Sequence, residues 1–157
     1  MASTWHKRLV KDLTELKASG FPVTDENGNE ATSMDTFCVP LVGPSESPYA
    51  GYKWLVRFTV GPTFPFSSPS VGFVQHIMHP NIDWASGSVC LDALNKKWSP
   101  VFTLKHIVES LLPYLLAYPN PDDPLNRSAA ALLRDSPSEY VAAVADQSRR
   151  YGIKIDK

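Results

Sequence analysis

Thr36-Phe37-Cys38-Val39-Pro40-Leu41-Val42, Tyr52-Lys53-Trp54-Leu55-Val56-Arg57-Phe58-Thr59-Val60 and Val71-Gly72-Phe73-Val74 are three runs rich in β-branched and aromatic residues, the composition of strands. Gly43-Pro44 and Tyr49-Ala50-Gly51 punctuate the gap between the first two. Parallel strands need crossovers of a dozen or more residues, so short connections of this kind predict an antiparallel meander. Upstream, Asp25-Glu26-Asn27-Gly28-Asn29 is a hairpin-type turn signal, because Asn-Gly tolerates positive φ. The sheet is therefore read as four-stranded.

On the N-terminal side, Trp5, Leu9, Leu13 and Leu16 recur at helical spacing from Ser3 to Ala18, with Ser3 or Thr4 as cap and Gly20 beyond the end. On the C-terminal side, no period holds from His76 to Ser99, and a long irregular segment in a compact domain is often functional. Leu104, Ile107, Val108, Leu111, Leu112, Leu115 and Leu116 then form an amphipathic helix capped by Thr103, with Pro113 expected to bend it. A short helix over Leu125–Arg134 follows. Ser136-Pro137-Ser138-Glu139 has capping-box spacing and opens a last helix to about Tyr151, closed by Gly152. The order predicts an α+β fold: an N-terminal helix, an antiparallel sheet, an irregular segment and C-terminal helices, in one domain spanning 1–157.

With a formal net charge of −1, no global field draws the chain to nucleic acid or to an anionic membrane. No apolar run has the length of a membrane span, and the N-terminus lacks a signal-peptide core, so a cytoplasmic or nuclear protein is expected. Two cysteines, Cys38 and Cys90, cannot build a disulfide framework and are expected as thiols. Cys38 sits in a strand pattern as a buried hydrophobe, whereas Cys90 lies in the irregular segment.

The motifs around Cys90 are ordered. His79-Pro80-Asn81 precedes it, it stands in Val89-Cys90-Leu91-Asp92, and Trp98-Ser99-Pro100 lies eight residues beyond. Pro119-Asn120-Pro121-Asp122-Asp123-Pro124-Leu125 follows the long helix. Upstream stand Gly43-Pro44 with Ser47-Pro48-Tyr49-Ala50-Gly51, and Phe64-Pro65-Phe66 with Pro69. This series resembles the ubiquitin-conjugating enzymes from Lys7 to about Tyr151. Asn81 and Cys90 are nine positions apart, one more than in many members. His79–Asp92 and Leu115–Asn126 look most like the subgroup containing ubiquitin-conjugating enzyme H. Trp84 is unusual in that loop, Trp98-Ser99-Pro100 is the general family form, and the sequence ends at Lys157 where that subgroup carries a long acidic tail.

The resemblance implies a UBC-like fold and a carrier that holds ubiquitin as a thioester on Cys90. Thiol–thioester exchange is nearly balanced in energy, and a free cysteine with a pKa near ~8.5 supplies a few per cent thiolate, so no dedicated base is required. The second step is harder, since an unperturbed lysine is unprotonated about once in ~2,500 at pH 7. By resemblance, Asp123 would orient the acceptor lysine or take its proton, and Asn81 would serve as oxyanion donor or as loop support. His79 and Asp92 are supporting residues, His79 through its ring nitrogens. Lys7, Arg8, Lys11, Phe66, Ser99 and Pro100 match the surface for the activating enzyme and a ubiquitin ligase of RING type. Ubiquitin and protein substrates complete the partners. No cofactor is implied on the chain, ATP being used by the upstream activating enzyme. A metal site from His76, His79 and Cys90 lacks the paired ligand spacing of zinc modules.

Three other readings compete. A ubiquitin-like modifier could replace ubiquitin. A non-catalytic ubiquitin-binding variant would lack the cysteine that Val89-Cys90-Leu91-Asp92 supplies. A thiol protease built on Cys90, His106 and Asn120 would need a base beside Cys90, and His106 falls on the polar side of an amphipathic helix.

Overall fold

A computed structural model of the chain describes residues 3–90 and 96–156. Helix α1 spans Thr4–Ala18, and the Ser3 hydroxyl caps it by accepting the His6 N–H at 3.3 Å. Leu9, Leu13 and Leu16 turn into the core, as the period requires, and Asp12 is buried among them. The strands are β1 (Thr36–Val42), β2 (Tyr52–Thr59), β3 (Ser70–Phe73) and β4 (Ile153–Lys154). All pairs are antiparallel, β1 aligning with β2 from Thr36 opposite Thr59 to Val42 opposite Lys53. Along the other edge of β2, β3 covers Val56–Thr59 and β4 covers Tyr52 and Lys53.

The four-stranded antiparallel sheet is as expected, but its fourth strand comes from the C-terminal end. Near the Asp25–Asn29 turn only Thr24 forms bridges, to Glu30 and to Cys38. Pro22 lacks an N–H donor just before it, and just after it Asp25 Oδ1 accepts the Asn27 and Asn29 N–H groups at 2.9 Å each. A ladder has no room to extend between them. At the other end, Gly152 lets β4 leave the last helix against β2. A Cβ there would stand 2.8 Å from the Ser148 carbonyl oxygen and 3.1 Å from the Trp54 ring.

Helix α2 joins Leu104–His106, a π-helical stretch Ile107–Leu111 and Leu112–Ala117. Thr103 caps it by accepting the His106 N–H at 3.2 Å. The expected disturbance from Pro113 takes the form of that π turn, in which the Leu112 N–H reaches Ile107 O one residue further back than in an α-helix. Helix α3 spans Arg127–Asp135, capped by Asn126, and α4 spans Pro137–Tyr151. The Ser136 side chain makes no capping bond. Its N–H closes α3 on Leu132 O at 2.8 Å instead. Trp54, Phe37 and Phe58 of the sheet meet Leu9, Leu104 and Ile107 of the helices in one core, each 1% exposed or less. Ile77, Ile82 and Val89 join that core, which anchors the aperiodic segment leading to Cys90.

Candidate active site

The segment before Cys90 lacks sequence periodicity but not hydrogen bonds. Its last residues run beside β3: the Phe73 N–H donates to Gly87 O at 2.8 Å and the Val89 N–H to Val71 O at 3.0 Å. Gly87 has φ of 76°, and a Cβ there would lie 2.0 Å from the Phe73 oxygen, so the close approach needs glycine. The Cys90 N–H donates to Asn81 O at 3.0 Å, which sets the thiol directly beside the His79-Pro80-Asn81 stretch. Between them, Asp83 closes the loop by accepting the Ser86 N–H and hydroxyl at 2.9 and 2.6 Å.

Each residue of His79-Pro80-Asn81 is tied to the chain beyond α2's middle. His79, 0% exposed, donates from Nε2 to Leu115 O at 2.7 Å and accepts the Asn81 N–H on Nδ1 at 2.9 Å. These partners require the neutral Nε2–H tautomer, and burial lowers the ring's pKa to about 4. Pro80 O accepts from the Leu125 and Asn126 N–H groups at 2.8 and 3.0 Å. Asn81 clasps Asn120: its Nδ2 donates to Asn120 O, and its Oδ1 accepts the Asn120 N–H, both at 2.8 Å. A flipped amide would set like groups together, so the orientation is fixed by its partners.

These ties fold the Pro119–Leu125 segment over one side of a cavity of about 270 Å³. Cys90, Asn81, Asn120 and Asp123 line it together with Lys96, Lys97, Tyr114 and Tyr118. Asp123 is exposed and Cys90 half-buried. Cys38 is the opposite case, 1% exposed, with its thiol pushed up to about 11, first by burial and then by the nearby Glu26 carboxylate. Asp92 lies outside the described residues. The cavity thus gathers Cys90, Asn81 and Asp123, while His79 stands behind it. Sequence reading did not single out Lys96, Lys97, Tyr114 or Tyr118. The available signal was Tyr114 and Tyr118, four apart and opposite the buried Leu112 and Leu116 of α2.

The family model described as "Ubiquitin-conjugating enzyme" matches residues 8–148. This chain belongs to the ubiquitin-conjugating enzyme family. It is 45% identical over 146 residues to Arabidopsis thaliana ubiquitin-conjugating enzyme E2 5, covering 92% of this chain and 76% of the relative. It is 39% identical to Saccharomyces cerevisiae ubiquitin-conjugating enzyme E2-24 kDa, covering 97% and 68%. Among solved structures it resembles the E2 domain of a Toxoplasma gondii ubiquitin conjugating enzyme, with a TM-score of 0.80 and 26% identity over 94% of this chain and 98% of that one. The protein is therefore an E2 transferase, and its family implies ubiquitin, an activating enzyme (E1) and a ligase (E3) as partners.

The other expected residues of this E2 lie on or near the first half of α1, outside the cavity lining. Phe66 is 81% exposed, Pro100 is exposed, Ser99 is half-buried, and Lys7 and Lys11 are exposed. Trp98 props this surface, donating from Nε1 to Pro65 O at 2.7 Å. Arg8 is half-buried rather than free on this surface. Its guanidinium donates to Pro100 O at 2.7 Å, to Phe102 O, and from Nε to the buried Asp12 carboxylate at 3.0 Å. Arg8 therefore holds Pro100 in place from beneath. Trp84, the unusual loop residue, stacks on His76 at 4.6 Å, and Tyr151 meets both rings edge-on, so it pins the loop to the end of α4.

Proposed function

We propose that Cys90 is the carrier residue of this E2, accepting ubiquitin from the activating enzyme and passing it to a lysine amine with a RING-type ligase. The observation that carries this reading is the shared cavity, in which an accessible thiol meets Asn81 and Asp123 while the second cysteine is buried. In charging, the Cys90 thiolate attacks the carbonyl carbon of the incoming thioester; a new S–C bond forms and the activating enzyme's sulfur leaves. His79 takes no part, for both of its ring nitrogens are engaged elsewhere. In discharge, a neutral lysine amine attacks the same carbon, the C–S bond breaks with its electrons on Cys90, and the amine proton is lost.

Asp123 is assigned to orient the acceptor amine and receive that proton. A carboxylate alone would raise the amine's pKa, so exclusion of water in the cavity must outweigh the attraction. Asn81 is assigned both of its candidate roles. Its clasp holds the Asp123 segment in place, and the remaining Nδ2 hydrogen is available to the oxyanion of the tetrahedral intermediate. Lys7, Lys11, Phe66 and Pro100 form the partner surface, with exposed apolar groups as anchors and cations at the rim steering encounter. The stretches around Cys90 and after α2 favour the subgroup containing ubiquitin-conjugating enzyme H.

The test is incubation with activating enzyme, ATP and tagged ubiquitin. A thiol-sensitive adduct is expected, replaced by a stable ester in Cys90→Ser. Failure to charge with ubiquitin, while a ubiquitin-like modifier does charge, would reassign the modifier. Charging that survives Cys90→Ala but not Cys38→Ala would move the site.

A further inference from the structure

Four side chains of the Cys90 cavity have no part in the chemistry described so far. Lys96 and Lys97 come from the chain just before Trp98, Tyr114 from the last turns of α2 and Tyr118 from the residue just past its end. The two tyrosines are 53% and 66% exposed and lie against each other with ring centroids 4.8 Å apart. Lys97 Nζ stands 5.0 Å from the centroid of the Tyr114 ring. An aromatic face attracts the ammonium and not the free amine, so this contact holds Lys97 as a placed cation. The exposed carboxylate of Asp123 lines the same cavity.

The lining therefore carries charges of both signs. An acceptor lysine entering beside Cys90 is drawn toward Asp123 and repelled by Lys96 and Lys97. Residues flanking that lysine come within reach of the two cations and two exposed aromatic faces that line the same cavity. We propose that Lys96 and Lys97, with Lys97 positioned by Tyr114, are specificity-determining residues that select acceptor lysines flanked by Asp or Glu. The proposal rests on Cys90 being the carrier residue. A flanking carboxylate neutralises the cationic wall as the acceptor amine settles near Asp123, whereas a flanking Lys or Arg meets like charge. The reaction itself is unchanged: N–C bond formation, C–S cleavage and loss of one amine proton.

The experiment starts from the preformed Cys90–ubiquitin thioester of the full chain, with the activating enzyme stopped. Single-round discharge is followed onto two lysine peptides that differ only in acidic or basic flanking residues. The expected preference for the acidic peptide is roughly three- to fivefold, the scale of one or two exposed charge pairs. It should be present at about 0.1 M salt, where screening acts over about 10 Å, and vanish at about 1 M, where it acts over about 3 Å. Lys96→Gln/Lys97→Gln should bring the ratio close to one, and Lys96→Glu/Lys97→Glu should invert it. Tyr114→Leu should lower it, because Lys97 loses its support. A wild-type ratio near one, or a preference that the double glutamine variant keeps, overturns the proposal. So does a thiol-resistant ubiquitin adduct on Lys97 in peptide-free thioester, which would make it a nucleophile rather than a held cation. Absence of a Cys90 thioester overturns the carrier reading and this proposal together, while a thioester that discharges without preference overturns this proposal alone.

Discussion

The Asn81 side chain and the Asn120 backbone hold each other through two 2.8 Å hydrogen bonds, one donated in each direction. This clasp joins the residue that binds the Cys90 N–H to the segment carrying Asp123. Asn81→Ala removes both bonds and leaves the Asn120 backbone groups short of partners, at a cost of about 1–3 kcal/mol of stability. Loss of the donor to the oxyanion should slow discharge to lysine by roughly 10²–10³. Urea unfolding and single-turnover discharge measure the two effects separately. An equal and small loss in charging and discharge would leave the clasp as the whole role of Asn81.

The two thiols should separate cleanly under alkylation. Cys38 is 1% exposed, and with its thiol pushed up to about 11 it holds only about one thiolate in ~10³ at pH 8. Iodoacetamide at that pH should label Cys90 in the native protein and leave Cys38 intact until denaturant is added. A mass-spectrometric time course reads this directly, and faster labelling of Cys38 would contradict the burial.

His79 makes stability depend on pH. Its folded pKa of about 4 lies below the ordinary value of ~6.5, so the unfolded chain takes up the proton first as pH falls. The contribution of the neutral ring is complete above about pH 6.5 and is lost as pH drops from there toward 4, about 3 kcal/mol in all. Denaturant unfolding across this range should show that loss in the wild type. His79→Asn should be less stable at neutral pH and flatter below it. Equal slopes in both proteins would place the titration elsewhere.

Arg8→Ala should destabilise the fold by about 3 kcal/mol, because it leaves the Asp12 carboxylate, 2% exposed, without its cation. Removing Asp12 as well should recover part of the loss. A double-mutant cycle by thermal unfolding measures the coupling, and additive losses would mean that the pair does not interact. Arg8→Ala should also weaken productive encounter with the activating enzyme, since Pro100 O loses its donor.

Gly87→Ala combines a φ of 76° with a Cβ only 2.0 Å from the Phe73 oxygen. The backbone must shift, at a cost of about 2 kcal/mol or more. Because Val89 and Cys90 continue from this contact, charging should fall together with stability. A variant of wild-type stability and activity would show that the loop yields freely.

The main elements were legible from local order. Runs rich in β-branched and aromatic residues set β1, β2 and β3; the spacing of Leu9, Leu13 and Leu16 set α1; and the leucine stripe set α2. Their signals lie within a few neighbouring residues, where sequence reading is strongest. Ser136 misled because capping-box spacing does not guarantee its geometry, and this residue is already engaged as the end of α3. The fourth strand was misplaced because Ile153–Lys154 is too short to carry a pattern and exists only as a partner of Tyr52 and Lys53.

From sequence alone, then, came the layer architecture, the family resemblance and the choice of Cys90, all of them carried by ordered local motifs. Only the tertiary structure decided that Asn120 clasps Asn81, that Arg8 lies beneath Pro100, and that Lys97 and Tyr114 complete the wall of the Cys90 cavity. The physical reason is separation along the chain. The partners of the clasp are 39 positions apart in sequence, and Arg8 and Pro100 are 92 apart; contacts of that range are set by packing of the whole core rather than by any local preference.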